Sequence, residues 1–253
     1  GMQAAVGALI VRAVHRIGSH VLHNRWLWAI AVLAAGAHFA GVHFLLNLAV
    51  AGLVYLLVGQ GRGKLGAVLL LAGGAASVAL LFARLSAGQV ALEAAGVVSE
   101  SVPSTFSLFT LGLRTGLLTF GGAYTAIPYL RNEAVVVTGW MTDSQFLDGL
   151  ALAGTLPAPL VIFGTFVGYL GGGLLGAVAL TLGIFLPAFG MTLIGHELLE
   201  KVVENKAFHS ILDGVTAGVV GLIAATALVL LRDAISGWLS LLIFLGGLIV
   251  LFR

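Results

Sequence analysis

The chain has 253 residues, 60% of them hydrophobic and only 9% charged, with a formal net charge of +2 and no cysteine. Soluble domains carry roughly 25% charged residues, so a chain this apolar is an integral membrane protein. The near-neutral charge is too small to suggest a nucleic-acid partner, and the lack of cysteine excludes disulfides and thiol chemistry.

The charges are clumped, and the mean hydropathy is +1.12. No Lys, Arg, Asp or Glu lies between Arg25 and Arg62, Lys64 and Arg84, Asp148 and Glu197, Asp213 and Arg232, or Asp233 and Arg253. At roughly 20 apolar residues per span, these gaps hold about six to seven crossings.

Residues 1–25 begin apolar and turn basic at Arg12, His15, Arg16, His20, His23 and Arg25. This reads as the end of a membrane helix running into a basic segment. Arg12 and Arg16 share a helical face, either a solvated one or a phospholipid-facing stripe. His20 and His23 lack an acidic or cysteine partner, so no metal site is expected. There is no pattern of a cleavable signal peptide. Gly1 ahead of Met2 points to an added residue or to a piece of a longer protein.

Residues 26–59 are too long for one crossing and are interrupted by Gly36, His38, Gly41 and His43. They predict a helical hairpin of two short spans. Its basic ends, Arg25 and Arg62-Gly63-Lys64, favour the cytoplasmic side. His38 and His43 read as turn histidines. Residues 65–83 predict one clean span with a packing patch at Gly73-Gly74. Residues 84–105, with Arg84, Glu93, Glu100 and Pro103, predict a linker between a front part (1–83) and a back part (106–253).

The back part opens on an apolar segment carrying Thr110, Arg114, Thr115 and Thr119. A central arginine costs at least roughly 2.5–3.5 kcal/mol on insertion scales. Thr110, Arg114 and Gly121 share one helical face. Such a face can bind an anion, or the arginine can snorkel to the interface. Phe120-Gly121-Gly122-Ala123-Tyr124 then leads to Ile127-Pro128, Arg131 and Glu133. Gly-Gly loosens a helix and proline removes a backbone donor. Because backbone polar groups must be satisfied in lipid, the break reads as backbone facing a protein-lined cavity, or as a kink for close packing.

Trp140 fits an interfacial anchor. Thr142 or Asp143 can cap the next helix, with Gln145 completing a capping box. That helix carries Asp148 and meets a second break at Leu156-Pro157-Ala158-Pro159. A glycine-rich run from Phe163 to Gly173 follows, and Pro187 interrupts the next span. Two broken segments, each beside a fixed charge, suit a transporter built from half-helix ends. Residues 196–213 read as a charged loop, in which Glu197 and Lys201 are an ordinary i, i+4 pair. His196-Glu197 lacks the second histidine of a zinc-protease motif. Two spans follow, 214–231 and 234–252.

Residues 214–228 align without gaps on residues 1–15, with identities at Gly214/Gly1, Ala217/Ala4, Val219/Val6, Leu222/Leu9 and Ile223/Ile10. On that reading 1–83 is the tail of a first repeat and 106–253 most of a second. The chain would then be an internal fragment of a two-repeat transporter.

Taken together these residues resemble the chromate ion transporter family. The match is carried by Phe120-Gly121-Gly122-Ala123-Tyr124, Ile127-Pro128, Gly139-Trp140, Asp148-Gly149-Leu150-Ala151 and Leu156-Pro157-Ala158-Pro159. Gly168-Tyr169, Phe185-Leu186-Pro187 and Asp213-Gly214-Val215-Thr216-Ala217 extend it over about 106–232, and more weakly over 1–60. The family's first half carries Phe-Gly-Gly-Pro and Leu-Pro-Gly-Pro. Ala123 and Ala158 depart from those motifs, so the chain resembles the second half of a two-domain member plus the tail of its first half. The resemblance implies efflux or uptake of chromate or sulfate across the inner membrane, coupling to the proton-motive force, and chromate resistance.

The expected fold is all-α: a polytopic membrane helix bundle with broken helices. The expected anion path is lined by Arg114, Thr119, Gly121, Gly122, Tyr124 and Arg131. Helix N-termini and freed backbone N–H groups supply further donors. Glu133 and Asp148 would pair with the arginines or take up protons. Pro128, Pro157 and Pro159 would hold the breaks open. No catalytic residue, metal or cofactor is expected. The expected partners are the anion, the bilayer, and a second copy or the missing first repeat. The rival readings are a passive anion channel and a half-module inactive without its partner.

Overall fold

The computed structural model describes residues 2–86, 103–119, 125–156, 158–194, 205–235 and 237–253. All regular structure among them is helical. The helices are α1 (Met2–Val21), α2 (Arg25–Phe39), α3 (Phe44–Gly59), α4 (Gly63–Ser86), α5 (Thr105–Leu118) and α6 (Ala126–Arg131). A π-helical turn (Asn132–Val137) continues α6. Next come α7 (Asp143–Thr155), a 3-10 turn (Leu160–Ile162), α8 (Phe163–Ile194), α9 (Lys206–Ala234) and α10 (Trp238–Phe252). The expected all-α membrane architecture is therefore present. Among the described residues, Gly63–Ala83 and Lys206–Arg232 are long and apolar enough to cross a membrane, and Leu160–Leu193 is so by length and composition but reverses within itself. Most of the linker 84–105 and residues 195–204 of the charged loop, with Glu197 and Lys201, lie outside the described residues.

The chain forms two compact units. One comprises Val14–Val98 and Glu200–Ala225. Here the hairpin predicted over 26–59 is present as α2 and α3, turned at Gly41 with φ +73°. Asn24 caps α2, accepting from the N–H groups of Trp26 and Leu27, and donates to the Tyr55 hydroxyl at 2.9 Å. The buried Asn47 amide donates to the Ala34 carbonyl at 2.9 Å, joining α3 to α2. Leu22, Leu27, Ile30, Ala31, Ala51, Val54, Ala217 and Val220 form the core. Gly73 and Gly74 of α4 face Leu33, each 3.5 Å from it at the position a side chain would occupy.

The other unit comprises Gly1–Ala13, Ser99–Leu199 and Thr226–Arg253. Its centre is α5 packed on α8. Within α8 the chain turns back on itself at Gly172 (φ −162°, ψ 26°) and Gly173 (φ +60°, ψ −149°), so the range holds two helical arms. Only glycine adopts the Gly173 conformation without strain. The two arms pair closely: Gly168 lies against the Gly176 backbone, Gly164 against Leu180 and Ile184, and the Thr165 and Thr181 hydroxyls are 2.7 Å apart. The first arm, Phe163 to Gly171, is only about 14 Å long, under half a bilayer core. Pro187, expected to interrupt a span, instead sits inside the second arm, where it packs on Gly116. The real break is the glycine pair.

Backbone meets backbone between α5 and the second arm. A methyl placed on Gly112 would lie against the Leu180 carbonyl and 2.9 Å from the Gly183 Cα. One on Gly183 would strike the Phe109 carbonyl, and one on Gly116 the Ile184 carbonyl. Gly112 and Gly116 are a small-xxx-small pair, the spacing that lets helices approach without side chains between them. Around this crossing Leu108, Ile127, Leu130, Leu147 and Leu180 are fully buried, and the Phe146 and Phe163 rings meet edge to face at 5.6 Å.

Overpacking a close crossing costs about 1–3 kcal/mol or more. Gly183→Val and Gly112→Val are therefore expected to lower the thermal midpoint of the detergent-solubilised protein sharply. Gly190→Ala, which meets nothing within 4 Å, is expected to leave that midpoint unchanged or slightly raised.

Candidate functional site

The sequence-predicted residues that the structure describes gather in the unit built on α5 and α8. Ser104 caps α5, its hydroxyl accepting from the Ser107 N–H at 3.1 Å. The helix runs to Leu118 and ends at Thr119, whose hydroxyl donates to the Gly116 carbonyl at 2.6 Å. Gly121, Gly122 and Tyr124 lie outside the described residues. On the far side of that stretch, the buried Thr125 hydroxyl donates back to the Leu118 carbonyl at 2.9 Å. An otherwise open helix C-terminus is thereby satisfied across the interruption. Pro128 falls in the first turn of α6, where its missing N–H would have had no intrahelical partner.

The π turn widens the helix just after Arg131. Thr138 returns its N–H to the Glu133 carbonyl at 3.1 Å, an i→i+5 bond, and its hydroxyl donates to the same oxygen. Such bulges are frequent at functional sites because they re-aim side chains. Gly139, at φ +66°, then ends the segment. The predicted capping box opens α7: the Thr142 hydroxyl accepts from the Gln145 N–H, and Gln145 accepts from the Thr142 N–H at 2.9 Å.

These turns place Arg131 and Asp143 face to face. The guanidinium donates through Nε to Oδ1 at 2.7 Å and through Nη2 to Oδ2 at 2.8 Å, with the arginine side chain 7% exposed. A bidentate pair of this kind fixes orientation as well as charge. The partner is Asp143, which the sequence marked only as a possible cap, rather than Glu133 or Asp148. Asp148 instead accepts from the Gln3 side-chain amide of α1 at 3.0 Å. Pro159 precedes the 3-10 turn at φ −55°, and Pro157 lies outside the described residues.

Arg114, Thr110 and Glu133 are brought together. They line a cleft of about 290 Å³ with Pro103, Ser107, Leu108, Leu111, Thr138 and Trp140. Arg114 is exposed, and its guanidinium lies within hydrogen-bonding reach of the Tyr129 hydroxyl. The shared face of Thr110 and Arg114 is thus the wall of a real cleft. Thr138 and Trp140 were not anticipated as lining residues. The π turn that carries them toward it has no periodicity to announce it. No group of three or more potential metal ligands occurs among the described residues.

Set beside known proteins, residues 106–253 match the family model described as chromate transporter. The chain is 57% identical over 229 residues to a chromate transport protein of Pseudomonas aeruginosa, covering 90% of this chain and 54% of that protein. It is 34% identical over 122 residues to a chromate transport protein of Cupriavidus metallidurans, covering 48% of this chain and 30% of that one. An uncharacterized transporter of Methanocaldococcus jannaschii is 33% identical over 152 residues, 58% of this chain and 37% of the relative. The chain spans about half or less of the length of these relatives. No solved structure matches it.

Removing one member of a buried ion pair leaves the other uncompensated, whereas replacing both with apolar groups is often neutral. Arg131→Met and Asp143→Leu are each expected to destabilise by about 3 kcal/mol. The double variant Arg131→Met/Asp143→Leu is expected to recover most of that loss in thermal denaturation. Additive losses would show that the two residues do not act as a pair.

Proposed function

Because the chain belongs to the chromate transporter family, we propose that it carries a tetrahedral oxyanion, chromate, across the inner membrane as a multi-pass carrier, with Arg114 as its principal ligand. The observation that carries this reading is the cleft holding Arg114 beside Thr110 and Glu133. A tetrahedral dianion needs positive charge and hydrogen-bond donors more than a close-fitting shape. Arginine supplies up to five donors and a charge that is not titrated away. The charge is kept by a helix whose backbone is fixed against α8, so its position does not drift. The direction of transport is outward, and Glu133, on the same cleft, is the group best placed to couple transport to protons. Sulfate, with similar shape and charge, is the competing substrate.

The two ends of the chain support a two-repeat plan. Helix α1 passes from one compact unit to the other after Ala13, and α9 does so after Ala225. The alignment of residue 1 with 214 is a shift of 213, which sets Ala13 opposite Thr226 (13 + 213), so the two helices change unit within one residue of the same repeat position. The working transporter then includes a further repeat or a second copy.

In the full-length transporter, Arg114→Ala is expected to abolish chromate efflux from everted or intact cells while membrane insertion remains normal. Arg114→Lys keeps the charge but not the planar fork, and is expected to retain partial activity. Normal efflux from a well-inserted Arg114→Ala variant would falsify the assignment.

A further inference from the structure

Trp140, one of the residues lining the cleft, carries a group that neither the ion pairs nor the helix caps use. The indole Nε1 of Trp140 is buried and has no hydrogen-bond partner among the described residues. A buried donor without an acceptor costs about 1–3 kcal/mol, so a retained one calls for an explanation. Indole N–H donates and cannot accept. Whatever satisfies it must therefore bring an acceptor.

The hydroxyl groups of the cleft narrow the choice. Ser107 donates its hydroxyl hydrogen to the Ser104 carbonyl at 2.7 Å, Thr110 to the Ser107 carbonyl at 2.9 Å, and Thr138 to the Glu133 carbonyl. All three hydrogens are committed to backbone. The side-chain donors left to a ligand are Arg114 and the Trp140 N–H. The indole nitrogen lies where α8 turns, and a side chain on Gly171 would come within 3.0 Å of it. The same position is 3.2 Å from Leu108 and from Pro103, so glycine there is what lets the indole pack against the turn.

We infer that the Trp140 indole N–H is a second donor to the oxyanion that Arg114 holds, and orients it in the cleft. This rests on the reading of Arg114 as the anion ligand. Two donors from different elements, α5 and the segment after the π turn, define a direction that a single guanidinium does not. An anion seated on both would satisfy the orphaned N–H.

The test is chromate binding to the purified full-length protein by titration calorimetry, with thermal stability followed in parallel. Trp140→Phe keeps the ring and removes the N–H. It is expected to weaken chromate binding about tenfold, with an unchanged or raised melting temperature. Arg114→Ala is expected to abolish binding. Unchanged affinity in Trp140→Phe, with binding lost in Arg114→Ala, overturns the role of Trp140 and leaves the Arg114 site standing. Unchanged affinity in Arg114→Ala overturns the site itself. Should Trp140→Phe fail to fold, the full-length protein with every tryptophan except Trp140 replaced by Phe, Trp26, Trp28 and Trp238 among them, retains one indole. Its ¹H–¹⁵N resonance is expected to move downfield with saturating chromate, and a resonance that does not move overturns the inference.

Discussion

The unit that holds the cleft depends on the approach of two backbones with no side chains between them. At Gly112 and Gly183 a side chain on either helix would stand 2.9 Å from the other's Cα. That distance fixes how deeply α5 sits on α8 and so where Arg114 is carried. The contact is possible only because α8 folds back at Gly172 and Gly173, which brings the Gly176–Gly183 arm under α5. Leu108 is wedged at the same place, close to the side-chain positions of Gly171, Gly172 and Gly176. Glycine therefore serves two distinct purposes here: it permits the turn, and it permits the approach that the turn makes available.

A second constraint is that apolar surroundings give polar groups few partners. Most hydroxyls in these helices meet it locally. Thr115 donates to Leu111, Thr181 to Ala177 and Thr216 to Leu212, each at 2.7 Å to a carbonyl one turn back. Thr125 does the same across the interruption after α5. Hydroxyls used in this way add little polarity to the helix surface. The polar character of the cleft therefore rests on the groups that cannot be satisfied within their own turn, Arg114, Glu133 and the Trp140 N–H.

Much of this was legible in the sequence because it follows from composition, periodicity and caps. The hairpin over 26–59, the capping box at Thr142 and Gln145, and the shared face of Thr110 and Arg114 all express local rules. The turn inside α8 was less legible. A glycine-rich stretch announces flexibility but does not say which pair takes a positive φ, and Pro187, the stronger signal by residue type, lies within an arm that tolerates it. The partner of Arg131 was hidden for another reason. Asp143 is twelve residues away, at no helical spacing, and reaches the arginine only because a π turn and Gly139 bend the chain between them. That bulge leaves no regular pattern to read.

The contrast between the two arginines explains how the cleft is held. They carry the same charge and chemistry, but Arg131 is buried and occupied while Arg114 is exposed on the cleft. Arg131 and Asp143 bracket residues 132–142, the segment that bears Glu133, Thr138 and Trp140. Closing that segment with two charge-assisted bonds removes much of its conformational freedom. Asp143 is well suited to the task, since it sits in the first turn of α7, where a negative charge also meets the helix dipole. The other wall, α5, is set by glycine contacts rather than charge. A mobile wall would spend binding energy on ordering its ligands each time an anion entered. Arg131 thus acts on the cleft through geometry: its pair with Asp143 holds the segment that faces Arg114 across it.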